Sequence, residues 1–300
     1  RELAAGVYRS ILRKKRLFIQ APTGVGKTLS ALFPALKAVG EGLGDKIFYL
    51  TARTITRIVA ADTLDLLREQ KMRVKSLVLT AKEKLCICQE VQCDPDHCPR
   101  AKGHYDRIND AVYDLWTKGP DSCTREVILT QAEKYQVCPF ELSLDLSLWM
   151  DVIICDYNYV FDLNVYLKRF FGEGVKGEYL FLVDEAHNLV ERGRDMYSAA
   201  VCKEEILEIR KLIRGKDPVL VKALDRCNKY LLTLKRECES GYRRLEQAGG
   251  FLLPMQQLSG ELDRYLEQPM EEEQKKKLLE FYFQVRNFLN VSDLVDENYE

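Results

Sequence analysis

Two short stretches carry residue types that could do phosphate chemistry. The first is Ala21-Pro-Thr-Gly-Val-Gly-Lys-Thr28. Backbone N–H groups around Thr23, Gly24, Val25, Gly26 and Lys27 can point at a phosphate. A helix starting at Thr28 adds a positive dipole end. Gly24 and Gly26 permit torsions and close approach that a Cβ obstructs. Lys27 would neutralise β- and γ-phosphate charge, and the Thr28 hydroxyl would ligate Mg²⁺. The second stretch is Asp184-Glu-Ala-His187. After a parallel strand, Asp184 would hold Mg²⁺ and Glu185 would orient and deprotonate an attacking water. His187 is suited to couple the γ-phosphate to nucleic-acid contacts. ATP with Mg²⁺ is the ligand both stretches imply.

A third set is made of thiols. Cys86, Cys93, Cys98 and Cys138 are separated by 6, 4 and 39 residues. In a reducing compartment such a cluster reads as a metal site, not a disulfide framework. The spacings are not the short pairs of a zinc finger, and iron–sulfur clusters are also held by four thiolates. Zinc, iron–sulfur and no metal all stay open on spacing. Cys88, Cys123, His97 and His104 are alternative ligands.

These groups need a scaffold. Arg16–Ala21, Lys46–Thr51, Ser76–Thr80, Asp151–Cys155 and Tyr179–Val183 read as buried strands alternating with helices, which predicts an α/β fold with a parallel sheet. Apolar residues at helical spacing predict helices over Thr28–Val39 and from Thr51 through Leu67. Lys82–Leu142 is polar, Cys-bearing and lacks clear strands. From about Glu191 onward the pattern is helical, for example over Lys203–Arg214 and Val219–Arg236. Glu271–Lys277 reads as an exposed helix with opposite charges three to four residues apart.

Bulk properties set bounds. The chain has 300 residues, 46% of them hydrophobic, and a formal charge of −1. A nucleic-acid surface must therefore be local. Arg1, Arg9, Arg13, Lys14, Lys15 and Arg16 form one candidate patch, or simply a solvated helix face. No run reaches the roughly 18 apolar residues of a membrane span, and the start has no signal-peptide core. An intracellular, cytoplasmic protein is expected. The start at Arg1, inside an amphipathic pattern (Leu3, Val7, Tyr8, Ile11, Leu12), reads as a cut from a longer chain.

Together these motifs resemble the XPD/DinG-like iron–sulfur DNA helicases of the DEAH type. Ala21 in place of the usual first Gly is the form helicases use. Lys84-Leu-Cys86 and Val137-Cys-Pro-Phe140 look like the family's first and last cluster contexts. Asp156-Tyr-Asn-Tyr-Val-Phe-Asp162 is similar to its segment leading to the acidic motif, and Thr51-Ala-Arg-Thr54 to its motif Ia.

The resemblance implies a RecA-like motor domain over 1–81 and 143–190, a cluster insert over 82–142 and a helical arch over 191–300. It implies a [4Fe–4S] cluster on Cys86, Cys93, Cys98 and Cys138, with Cys86 favoured over Cys88. It implies Arg53 on the DNA backbone, 5′-to-3′ translocation on single-stranded DNA, and work on junctions in repair or replication, in a bacterial-type, nucleoid-associated setting. Arg100, Lys102, His104, Tyr105 and Arg107 would suit a single-strand channel. A second motor domain is expected beyond residue 300, so these 300 residues alone are expected to hydrolyse ATP weakly. The competing reading is a cluster- or zinc-bearing nucleic-acid-binding module in which ATP is a conformational switch.

Overall fold

The computed structural model describes all residues except Thr23, Gln89, Glu90, Glu239, Ser240, 243–248, Asn298 and Glu300. It divides into two units, Arg1–Phe161 with Val165–Leu189, and Asp162–Asn164 with Val190–Glu300.

The first unit is α/β. In chain order it holds α1 (Glu2–Leu12), α2 (Lys27–Gly40), β1 (Lys46–Leu50), α3 (Thr54–Glu69), β2 (Ser76–Val78) and α4 (Lys82–Leu85). There follow α5 (His104–Lys118), β3 (Ser122–Cys123), α6 (Arg125–Tyr135), α7 (Pro139–Leu146), β4 (Val152–Cys155), α8 (Asn158–Phe161), α9 (Lys168–Phe171) and β5 (Tyr179–Val183). The five strands form one sheet in the order β3-β2-β4-β1-β5, and every pairing is parallel. β1 is flanked on both sides, so all five of its residues are buried.

Alternation along β1 sends its side chains to two faces. Ile47 and Tyr49 join Leu32 and Leu36 of α2 and Leu64 and Leu67 of α3 in one core. Phe48 joins an aromatic group on the other face. Its ring lies 5.2 Å from Phe170, 5.4 Å from Tyr179 and 5.7 Å from Phe181. Lys46 is also buried there. Its ammonium donates to the Met150 carbonyl, lies 3.4 Å from the Leu148 carbonyl and sits 5.8 Å from the Phe170 ring. Burial pushes its pKa down to about 8, against the pull of Asp151 and Asp45.

Two sequence expectations are corrected here. Arg16–Ala21 is not a strand. Leu17, Phe18 and Ile19 are 45%, 86% and 43% exposed. Apolar character fits a strand, but a strand also needs a hydrogen-bonded neighbour. β1 already has two neighbours, and residues 16–21 are not paired with the outer edge of β5. In addition, the segment read as lacking strands contributes β3, which pairs with β2. Cys123 therefore sits in the sheet, 2% exposed, with its thiol pushed up to about 11 by burial.

The second unit is helical among its described residues. α10 (Leu189–Met196) begins at the last residue of the first unit; α11 (Lys203–Ile213), α12 (Pro218–Arg236), α13 (Leu252–Leu266) and α14 (Glu272–Ser292) follow. The apolar faces of α11, α12, α13 and α14 meet in a core that includes Ile206, Ile213, Leu224, Met255, Leu258, Leu278 and Phe281. Asp217 caps α12, accepting from the Val219 and Leu220 amides at 2.9 Å each. Its other oxygen accepts from Arg264 at 2.6 Å. The charge run lies at the start of α14, where Lys277 pairs with Glu273 at 2.8 Å.

Candidate nucleotide and thiol sites

The phosphate-loop residues precede α2. Gly24 and Gly26 have φ of 83° and 74°, in the left-handed region that favours glycine. A Cβ at either would meet nothing within 4 Å, so the loop opens on free space. Gly26 is the N-cap of α2, which puts Lys27 and Thr28 in its first turn. The Lys27 ammonium donates to the Ala21 carbonyl at 3.2 Å. Thr23 lies outside the described residues. Val25 is 53% exposed.

The acidic turn follows β5 directly. The Asp184 amide donates to the Leu50 carbonyl at 2.9 Å, continuing the β1–β5 ladder. The Tyr49 phenol feels both, the charge of Asp184 and the side chain of Thr28. Burial, chiefly, pushes the Tyr49 phenol well above its usual range. Asp184 is raised as well, first by burial and then by the neighbouring Glu185 charge, while Lys27 pulls it down. Glu185 adopts φ 51°, a left-handed conformation rare outside glycine. Its carboxylate lies 3.4 Å from His187 Nδ1, and the His187 side chain is 73% exposed.

Lys27, Thr28, Asp184 and Glu185 lie at one end of the sheet. Reasoning from sequence missed two residues there. Tyr49 was read only as part of a strand, and Tyr157 only as part of a motif. The Tyr157 phenol donates to the Asp184 carbonyl and lies 3.3 Å from that of Glu185. An aromatic with a polar tip, on a strand or just after one, is the signal that could have flagged both.

The thiols influence one another in two sets. Burial first, and then the Cys98 and Cys86 thiols, push the Cys88 thiol up to about 11. The Cys93 charge acts on Lys82 and on Cys138. Cys98 is buried, Cys93 is exposed, and Cys86, Cys88 and Cys138 lie between. Among the described residues, no three His, Cys, Asp or Glu side chains are drawn close enough to hold a metal ion. As a donor set, five thiols on α4, the following loop and the start of α7 fit a soft-metal or iron–sulfur site.

Three of the five residues expected along a strand channel are committed to the fold. Arg100 is buried, donating to the Ala132 carbonyl at 2.7 Å and pairing with Glu133. Arg107 donates to the Tyr135, Lys102 and Gln136 carbonyls. His104 is buried and its Nδ1 accepts from the Cys138 amide at 3.3 Å. Lys102 is exposed, and Tyr105 is 86% exposed. Arg53 is exposed at the N-cap of α3. Of the basic patch near the start, Lys14 pairs with Glu178 at 2.8 Å.

Among the described residues, no helix is long and apolar enough to cross a membrane.

Comparison with known proteins places this geometry. Human regulator of telomere elongation helicase 1 is 25% identical over 239 residues, which is 63% of this chain and 19% of that protein. Its Caenorhabditis elegans homolog is 25% identical over 251 residues, 67% of this chain and 25% of that protein. The Gallus gallus Fanconi anemia group J protein homolog is 27% identical over 86 residues, 29% of this chain and 7% of that protein. The chain therefore spans about a fifth of the length of the first of these relatives. Two solved structures share the fold. "Truncated XPD" matches with a TM-score of 0.57 at 19% identity, covering 98% of this chain and 82% of that one. "XPD_Helicase" matches with a TM-score of 0.55 at 18% identity, covering 98% and 50%. The DEAD/DEAH box helicase family model matches residues 2–97. The DEAD_2 family model matches residues 50–206, just over half of the sequence, and the chain belongs to that family.

Proposed function

We propose that this chain supplies the nucleotide-binding part of an ATP-dependent DNA helicase that moves 5′ to 3′ along single-stranded DNA in repair or replication. One observation carries the reading. The Asp184 amide continues the sheet ladder at the Leu50 carbonyl, 2.9 Å away, and the Lys27 charge acts on the Asp184 carboxyl. The two motifs are thereby brought to one end of the sheet.

Each residue has a role there. The loop from Ala21 through Thr23, Gly24, Val25 and Gly26 presents backbone N–H groups to phosphate, and the α2 N-terminus adds its dipole. Lys27 exchanges the Ala21 carbonyl for phosphate oxygens. Thr28 and Asp184 would hold Mg²⁺, which would supply neutralisation of phosphate charge. Glu185 orients a water and takes its proton at a carboxylate oxygen. His187, beside Glu185, is placed to sense the γ-phosphate. Arg53 meets the DNA backbone as a local charge on a chain of net charge −1.

The domain assignment follows the same reading: motor domain over 1–81 and 143–190, cluster insert over 82–142, arch over 191–300, and a second motor domain elsewhere in the same protein. Cys86, Cys93, Cys98 and Cys138 would hold a [4Fe–4S] cluster, which would cross-link segments of the insert. A preference for DNA junctions and an intracellular, nucleoid-associated location belong to this proposal. The test is strand separation by the whole protein that carries this chain, with Lys27→Ala as control. Loss of unwinding with Lys27→Ala is expected. Unwinding that survives it rejects an ATP-driven motor.

A further inference from the structure

Tyr157 is fully buried, yet its hydroxyl is placed for a specific task. It donates to the Asp184 carbonyl and lies 3.3 Å from the Glu185 carbonyl. One oxygen therefore holds two successive residues of the acidic turn. That turn contains Glu185 in a left-handed conformation, which a non-glycine keeps only when its surroundings enforce it.

The preceding residue faces another element. The Asp156 carboxylate accepts from Arg57 at 3.1 Å, and the two side chains are only 17% and 16% exposed. Arg57 lies one helical turn after Arg53 on α3, with its amide donating to the Arg53 carbonyl at 3.2 Å. The start of α3, Arg57, Asp156, Tyr157 and the Asp184–Glu185 turn thus form an unbroken series of bonds. A largely shielded ion pair resists separation because parting it leaves each charge with less water than it has free in solution. Displacement of the first turn of α3 must then carry Asp156, and with it Tyr157.

We propose that Arg57, Asp156 and Tyr157 are positioning residues that relay the state of the α3 N-terminus to the hydrolytic turn. Single-stranded DNA bound at Arg53 would thereby change the affinity of the site for Mg²⁺–ATP. The relay rests on the nucleotide and DNA reading given above. Coupling of this kind is reciprocal, so nucleotide changes DNA affinity by the same factor.

The test is the dissociation constant of a fluorescent ATP analogue with Mg²⁺, measured on the full 300-residue chain with and without a thymidine oligonucleotide. DNA is expected to tighten binding at least about five-fold, the lower end of usual allosteric coupling. Tyr157→Phe keeps the ring and removes the hydroxyl, and is expected to erase that ratio. Arg57→Gln and Asp156→Asn are expected to do the same. The double variant Arg57→Gln/Tyr157→Phe should lose no more than either single one, because the links act in series. A merely structural role would lower the melting temperature without changing the ratio. Should Tyr157→Phe fail to fold, Asp156→Asn and Arg57→Gln decide alone. Full coupling in the folded variants overturns the relay. So does nucleotide binding by the wild-type chain that ignores DNA, while the ATP site stands. Absence of any nucleotide binding by the wild-type chain instead overturns the ATP reading, and the relay falls with it.

Discussion

The Lys27 ammonium donates to the Ala21 carbonyl oxygen at 3.2 Å, so the phosphate loop closes on its own first residue. The bond is internal to the loop, and open space lies where a Cβ of Gly24 or Gly26 would go, room for an entering phosphate in that concavity. A phosphate entering that concavity offers charged oxygens in place of a neutral carbonyl, and charge-assisted bonds are about twice as strong.

The loop's torsions give the first prediction. Gly26 sits at φ 74° with open space where a Cβ would go. Gly26→Ala therefore meets no clash, only the left-handed strain of an L-residue, roughly 1–2 kcal/mol. Chemical denaturation should show a loss of that size, together with weaker nucleotide binding as the loop leaves its conformation. Unchanged stability would mean that the loop is free to rearrange.

Lys46 predicts a pH dependence. Its folded-state pKa of about 8 lies below the ordinary 10.5. Between those values the unfolded chain binds more protons, so stability rises with pH across that window. Measured against Lys46→Met, the wild type should gain up to roughly 3 kcal/mol from the lower to the upper end, at about 1.4 kcal/mol per pKa unit. Parallel stability curves for the two sequences would contradict the assignment.

The thiol sets predict metal content. In protein purified without oxygen, Cys86→Ser, Cys93→Ser, Cys98→Ser and Cys138→Ser should each lose iron and visible absorbance, while Cys88→Ser keeps both. Iron lost from Cys88→Ser but retained by Cys86→Ser would exchange the two roles. A colourless wild-type protein loaded with zinc would reject the iron–sulfur cluster.

The helical unit has its own test. Asp217 caps α12 with one oxygen and holds Arg264 with the other. Asp217→Ala should destabilise the unit by about 1–3 kcal/mol in urea denaturation, combining a lost cap with a partly exposed ion pair. Asp217→Asn retains capping ability and should cost less than half as much. Equal losses would place the effect on the ion pair.

Much of this was legible in the sequence because it is local. The β1, β2, β4 and β5 strands and the long helices follow from apolar periodicity, and Lys27, Thr28, Asp184 and Glu185 from motifs whose spacing fixes their place at strand ends. What was not legible depends on partners far along the chain. Residues 16–21 have the apolar character of a strand, but no hydrogen-bonded neighbour fixes them as one. The two residues of β3 are too few to show a pattern, yet β2 gives them a ladder. Arg100, Arg107 and His104 looked like nucleic-acid contacts because charge is visible in a sequence. That their donors and acceptors are taken by the backbone is visible only in three dimensions. Tyr49 and Tyr157 were hidden for the converse reason, since a buried tyrosine reads as core.

We propose that the loop at Lys27 and the turn at Asp184 form one Mg²⁺–ATP site. Calorimetric titration of the 300-residue chain with a slowly hydrolysed ATP analogue tests it most directly. One site per chain is expected, dependent on Mg²⁺ and weakened about ten-fold or more by Lys27→Ala, the loss that follows from removing a charge-assisted bond. Binding that is indifferent to both Mg²⁺ and Lys27, or no binding at all, would contradict it.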